Sequence, residues 1–400
     1  MKSNCLRIIL VFVLAIPALG YLSAHNHQKE VKHTTTGTIN VLPEWALGGF
    51  ERPAGANPVI GPLPGTKFYC PMSKREVNWE ESDTFNPAAV VKGDNIFVLY
   101  RAEDNSGIGI GKRTSRIGLA ESSDGIKMSR RSTPVMFPDE DDMKKYEWPG
   151  GCEDPRVAVT EDGLYVMTYT SWNRDKARLC VATSRDLITW KKHGPAFEDA
   201  YQGRFLNIHC KAGSIVTEIK GDKQVITKIN NTYFMYWGEH RVWAATSENL
   251  LDWKPVLDEK GDLKTVIAPR RGYFDSALTE CGPPALKTDK GILLLYNGKN
   301  QTHDDHRDRR FNPGTYSAGQ VLMDLNDPMK VIERLDVPFF RPMEDFEKSG
   351  QYGDGTVFIE GLVYFKGKWY LYYGCADSLV SVAIYDPAKE TPGDILPEPL

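Results

Sequence analysis

An aromatic-rich strand recurs five times along the chain, as NIFVLYRAED (95–104), LYVMTYTSWN (164–173), YFMYWGEH (233–240), ILLLYNGKN (292–300) and WYLYYGCAD (369–377). In the first three copies a small-residue strand follows: IGLAESSDG (117–125), LCVATSRDL (179–187) and VWAATSENL (242–250). Fainter echoes are YSAGQVLMDL (316–325) and VSVAIYDP (380–387). A period of roughly 65 residues is too long for a solenoid and suits a four-stranded sheet with long loops. The repeat therefore predicts an all-β chain, a five-bladed β-propeller, in which one inner strand from every blade opens into a shared polar funnel.

The expected inner strands are DTFNPAAVV (83–91), CEDPRVAVT (152–160), CKAGSIVTE (210–218), TECGPPALKT (279–288) and DGTVFIEGLVYF (354–365). Each begins with polar and small residues and then turns apolar. Pro87, Pro155, Pro283 and Pro284 fall at strand starts, where a missing N–H is tolerated. The Pro- and Gly-rich stretch 41–80 reads as an ordered leader, and MKKYEW (143–148) as a short turn at most.

At the N-terminus, Lys2 and Arg7 precede the apolar run Ile8–Leu19, with small residues at Gly20, Ser23 and Ala24. That is the pattern of an export signal, and the run is too short for a permanent membrane anchor. The organisation expected is a signal peptide at 1–24, a polar leader at 25–40, a propeller catalytic domain at 41–388 and an irregular tail at 389–400. The protein is thus expected outside the cytoplasm, in the periplasm or beyond the cell. A formal net charge of −4 argues against a nucleic-acid or anionic-membrane partner. Six cysteines remain after the signal peptide, without a CxxC, and read as buried small apolar residues; their spacing fixes no disulfide pairing.

Laid together, the strand mouths offer Asn86, Asp154 with Arg156, Lys211, Glu280 and Asp354. The aromatic strands end on the same rim with Arg101, Glu103 and Asp104, then Arg174, Glu239, Asn297 with Lys299, and Asp377. Carboxylates and amides bind sugar hydroxyls, and rings stack on the apolar face of a sugar. Cleaving a glycosidic bond needs one carboxyl that keeps its proton and one that is ionised. Mutual pairing that merely closes the propeller axis is the competing reading of these charges.

The segments FNPAAV, YRAED, SRIGLAESSDG, GGCEDPR, TSWN and ATSRDLITW resemble glycoside hydrolase family 130, a family of five-bladed propellers active on mannosides. The resemblance runs from about residue 41 to 387. Members resembling this pattern are mostly inverting phosphorylases, with a smaller exported branch of inverting β-1,2-mannosidases. WGEH, FDSALTECGPP and RPMEDFEKSGQYGDGTVFIEG, together with the signal peptide, place the likeness nearer the second branch.

The resemblance implies that Asn86, Arg101, Asp154, Lys211 and Asp354 cradle the nonreducing mannose. It implies catalysis by Glu239 and Glu280, without assigning which is acid and which is base. In the phosphorylases Asp154 would match the proton donor. Acids where phosphate would sit repel the dianion by about 4 kcal/mol per charge at ~4 Å and an effective dielectric near 20. The expected activity is accordingly hydrolysis of β-1,2-linked mannosides by single displacement, with no cofactor or metal. A phosphate-using phosphorylase is the alternative, and a noncatalytic sugar-binding propeller is the reading from another class. GIGIGKR (107–113) has no helix after it and reads as a hairpin tip. QTHDDHRDRR (301–310) lacks metal-ligand spacing and reads as a solvated loop.

Overall fold

The computed structural model describes residues 42–303 and 305–389. The expected signal peptide (1–24), the polar leader (25–40) and all but the first residue of the expected tail (389–400) lie outside the described residues. The regular secondary structure of the rest is almost entirely strand, and the hydrogen-bonded ladders resolve into five antiparallel blades.

Blade 1 runs Asp83–Lys92, Asn95–Glu103, Ser115–Ser122 and Ser129–Arg130. Blade 2 follows as Gly151–Val159, Tyr165–Trp172, Ala177–Ser184 and Lys191–Pro195. Blade 3 has Gly213–Ile215, Thr232–Trp237, Trp243–Ser247 and Lys254–Pro255. In blade 4 the inner strand is split into Leu278–Cys281 and Leu286–Lys287, followed by Ile292–Lys299, Tyr316–Met323 and Val331–Arg334. Blade 5 is Val357–Phe365, Lys368–Cys375 and Leu379–Tyr385. Its outer edge is covered by the leader: Glu51 pairs with Ile384 and Ile60 with Val380, and Asn57 exchanges both amide hydrogen bonds with Val382. An open edge would otherwise face solvent there. MKKYEW contributes a single helical turn, Lys144–Glu147.

The repeat has a packing cause. In each blade the second strand carries a buried tyrosine at the same place: Tyr100, Tyr169, Tyr236, Tyr296 and Tyr373. Opposite it on the third strand stands a small residue: Gly118, Cys180, Ala244, Gly319 and Ser381. The ring lies across that residue. A Cβ on Gly118 would come within 2.4 Å of the Tyr100 ring, and one on Gly319 within 2.4 Å of Tyr296.

Four of these hydroxyls donate to a buried carboxylate: Tyr100 to Glu80 (2.8 Å), Tyr169 to Glu147 (2.8 Å), Tyr296 to Asp275 (2.7 Å) and Tyr373 to Glu347 (2.8 Å). A cation completes each set: Arg130, Lys192, Arg334 and Arg52 respectively. In blade 3, Tyr236 donates to the Pro328 carbonyl instead. Tyrosine hydroxyls buried in an apolar blade need such partners.

Two residues read from the sequence as rim groups instead join blades. Asn297 donates to the Ile359 carbonyl (3.1 Å) and accepts from the Ile359 amide (2.8 Å), tying blade 4 to blade 5. Arg156 spans from blade 2 to the break in blade 4 before Pro283 and Pro284, where carbonyls of the split inner strand need donors. It donates to Gly282 (2.9 Å) and Cys281 (2.8 Å), and Ser214 donates to Gly282 as well (2.9 Å). All six cysteines of the described residues are buried and unpaired.

Candidate active site

The inner strands do not run straight into the funnel. At Asn86, at Asp154–Pro155 and at Glu360 the ladder skips, so the bulged strand carries an extra residue that its partner does not match. Asn86 and Asp154 take left-handed backbone there, with φ of 47° and 49°. Asn and Asp are among the few side chains that tolerate this region. A bulge re-aims a side chain out of the alternation of its strand. Here it turns Asn86 and Asp154 toward each other across the boundary of blades 1 and 2, where Asn86 Nδ2 donates to Asp154 Oδ1 at 2.9 Å.

Arg101 is the centre of the resulting cluster. Its guanidinium lies over the Phe85 ring (4.6 Å) and donates to Asp154 Oδ1 at 3.0 Å and Glu103 Oε1 at 2.6 Å; Glu153 Oε1 is 2.9 Å away. Lys211 Nζ stands 3.7 Å from Asp154 and 3.8 Å from Glu153. Burial works against ionising Asp154, but Arg101, Lys211 and the Asn86 amide outweigh it and hold this carboxyl below the ordinary range. Glu153 shares the same cations yet goes the other way: burial dominates and lifts it. One carboxylate of the adjacent pair is fixed as an anion and the other is held near neutrality.

These groups line a cavity of about 330 Å³ at one end of the propeller axis. Glu239 and Glu280 face it from blades 3 and 4. Glu239 reaches it through Gly238, whose φ of 126° and close approach to the Arg241 carbonyl exclude any Cβ. Glu280 is 3 % exposed, at the end of the broken inner strand, and Arg156 NH2 lies 4.0 Å from its Oε1. Burial, reinforced by the negative Glu239 and only partly offset by Arg156 and Lys211, raises Glu280 to about 8. Glu239 is more open, with 19 % of its side chain exposed. Glu280 Oε1 and Glu239 Oε2 accept no hydrogen bond among the described residues. Buried acceptors left free in this way are available to a ligand.

The remaining wall is aromatic. Tyr316 packs edge-on against Tyr352 (5.4 Å) and Phe358 (5.8 Å), and Lys299 donates to the Tyr352 hydroxyl. Across the cavity, Trp172 donates to the Gly111 carbonyl (3.0 Å), so the GIGIGKR hairpin tip forms part of the rim. A larger cavity, about 610 Å³, opens at the other end of the axis among the turns at 92–94, 221–223 and 366–367; none of the candidate residues lines it.

Of the seven candidate residues, Asn86, Arg101, Asp154, Lys211, Glu239 and Glu280 line one cavity, and Asp354 does not. The expected inner strand of blade 5 starts three residues late, at Val357, which leaves Asp354 exposed in the preceding turn. There its carboxylate lies against Gly314, where a Cβ would come within 2.5 Å of Oδ2. The corresponding place in the funnel is filled from the end of the second strand by Asp377, on left-handed backbone (φ 52°). Burial, opposed by Arg101 and reinforced by Asp154, lifts Asp377 to about 6. The repeat puts Asp377 on the rim without singling it out. Sequence reasoning misses Glu153, whose only signal is adjacency to Asp154, Tyr316, which opens the third strand of blade 4, and His209, Gln351 and Tyr352, which have no fixed place in the repeat.

A family model described as β-1,4-mannooligosaccharide phosphorylase matches residues 66–389. A solved structure from work stating that the GH130 family of mannoside phosphorylases contains glycoside hydrolases that target β-1,2 mannosidic linkages in Candida mannan is 62% identical. It covers 91% of this chain and 100% of its own, with a TM-score of 0.88. A glycosyl hydrolase from Bacteroides ovatus is likewise 62% identical over 90% of this chain and 99% of its own, with a TM-score of 0.87. A 1,2-β-oligomannan phosphorylase from Thermoanaerobacter sp. (strain X514) is 33% identical over 323 residues, which is 79% of this chain and 94% of that protein. With the propeller, the funnel and the DPR bulge in place, these matches leave one assignment: the chain belongs to glycoside hydrolase family 130.

Proposed function

We propose that the protein is an exported, inverting β-1,2-mannosidase that releases mannose from β-1,2-linked mannosides with water as the nucleophile. The observation that carries this reading is the charge balance of the cavity. Glu103, Glu153, Asp154, Glu239, Glu280 and Asp377 line it against two permanent cations, Arg101 and Lys211, and both cations are already engaged by Glu153 and Asp154. A phosphate dianion entering this funnel would find acids where it needs unengaged cations.

In this reading Asp154, Asn86, Arg101 and Lys211 hold the terminal mannose by its hydroxyls, with Asp377 in the place expected of Asp354. Glu280, which keeps its proton at pH 7, gives it to the departing oxygen. Glu239, the more open carboxylate, takes a proton from water on the opposite face of C1. The solved relatives at 62% identity support hydrolysis. The phosphorylase reading is favoured by the name of the Thermoanaerobacter relative, at roughly half that identity.

The test is to incubate the mature protein with β-1,2-mannobiose, with and without inorganic phosphate, and identify the products. Free mannose at equal rates is expected. Mannose 1-phosphate formed only with phosphate would establish the phosphorylase instead, and binding without any product would leave a sugar-binding propeller.

A further inference from the structure

His209 lies on the loop leading into blade 3, outside the repeat, and lines the cavity beside Glu239. Two contacts fix its state. The Ala177 amide donates to Nδ1 at 3.4 Å. A backbone N–H can only donate, so Nδ1 carries the lone pair and the neutral ring bears its proton on Nε2. That Nε2 stands 3.7 Å from Glu239 Oε2, the atom that accepts no hydrogen bond among the described residues. The ring plane is set from the other side by Trp172, edge-on at 6.4 Å and 82°, which is itself held by the Gly111 carbonyl.

We propose that His209 is a positioning residue for the reaction: its Nε2–H, aimed by the Ala177 amide and the Trp172 ring, holds the Glu239 carboxylate in the orientation from which it accepts a proton from water. The inference rests on the hydrolytic reading of the same site. The 3.7 Å gap is longer than a hydrogen bond, and catalytic contacts of this kind shorten when substrate fills the site. A second partner that orients the base is a recurrent requirement of acid–base machinery.

The groups facing His209 agree with a neutral donor. Burial is the largest influence and holds the imidazole below its ordinary 6.5. Glu239 favours its protonation, while Lys211, His240 and Lys176 oppose it. At pH 7 the ring is therefore uncharged, with one N–H pointing at Glu239.

His209→Ala, assayed on β-1,2-mannobiose in the full mature protein, should lower kcat about tenfold with KM within twofold. His209→Gln keeps an N–H and should recover most of the rate; His209→Met, similar in bulk without a donor, should not. The Gln and Met pair decides the matter equally well should the Ala variant fail to fold. An unchanged kcat in the Ala and Met variants, or a rise in KM alone, would overturn the proposal. Phosphate-dependent turnover by the unmodified protein would take down the hydrolytic reading and this inference together. Phosphate-independent turnover untouched by removing the donor would take down this inference only.

Discussion

Replacing Glu280 with Gln tests the acid assignment most directly. With its pKa raised to about 8, the Glu280 carboxyl is neutral in about ten of eleven molecules at pH 7. Gln has the same size and the same neutral charge, so the fold and mannoside binding should survive. What is lost is the proton, worth roughly 10²–10⁴ in kcat, or about 3–5 kcal/mol of barrier. The unmodified enzyme should lose activity above about pH 8 as Glu280 ionises, and that limb should vanish in the variant.

Stability should move the opposite way. Between the ordinary 4.5 and about 8, the folded protein binds this proton and the unfolded chain does not, so stability falls as pH rises across that window. The full cost, present above pH 8, is on the order of 5 kcal/mol. Glu280→Gln removes it and should melt at higher temperature than the parent at pH 8–9, with the difference closing toward pH 4.5. The decisive assay compares β-1,2-mannobiose with dinitrophenyl β-mannoside, whose leaving group needs no proton. The variant should be severely impaired on the first and nearly normal on the second. Equal impairment on both substrates would refute Glu280 as the acid, and leaving-group rescue in Glu239→Gln would exchange the two roles.

Three further changes are decided by position in the fold. Asp354→Ala should leave kcat/KM within twofold, whereas Asp377→Asn, inside the funnel, should lower it at least tenfold; the reverse order would restore Asp354 to the mannose cradle. Asp154→Asn leaves Arg101 with Glu103 and Glu153 but removes one of the two carboxylates facing Lys211; we expect at least a hundredfold loss of kcat/KM with an unchanged circular dichroism spectrum. Glu147→Ala leaves the Tyr169 hydroxyl without its acceptor and Lys192 with only Asp141 and the Phe137 carbonyl, which should cost about 2–3 kcal/mol by chemical denaturation. A loss below about 1 kcal/mol would mean that this buried pair contributes little.

The propeller is legible in the sequence because its period is carried by two residues per blade that must face each other. Tyr100 over Gly118 and Tyr296 over Gly319 admit no larger partner, so the alternation of aromatic and small strands is written into the chain. Funnel residues on the repeat, such as Asp154 and Glu280, are legible for the same reason. Asp354 misleads because counting back from the blade 5 strand presumes where that strand begins, and hydrogen bonding starts it only at Val357. His209 and Tyr352 sit on loops with no period to count from. Glu153 shows another gap: sequence reveals a carboxyl but not its protonation, which burial settles against the pull of Arg101 and Lys211 a few ångströms away.

The two sets of buried acids in this propeller obey opposite rules, and their contrast explains how the funnel can be held. Glu80, Glu147, Asp275 and Glu347 each have a tyrosine hydroxyl and a cation, so each of these sets is electrostatically closed on itself. A few residues beyond the blade tyrosines the second strands lead into Glu103, Glu239 and Asp377, which crowd one cavity with too few cations to neutralise them. Such a cluster is destabilising by itself, and a scaffold with satisfied blades can absorb it. The contrast fixes signs. Removing a blade acid should lower the melting temperature while the folded fraction keeps its kcat; removing Glu280 should raise the melting temperature at alkaline pH while kcat collapses. If Glu147→Ala and Glu280→Gln shifted the melting temperature in the same direction at pH 8–9, the division between scaffold and site would not be the one the charges imply.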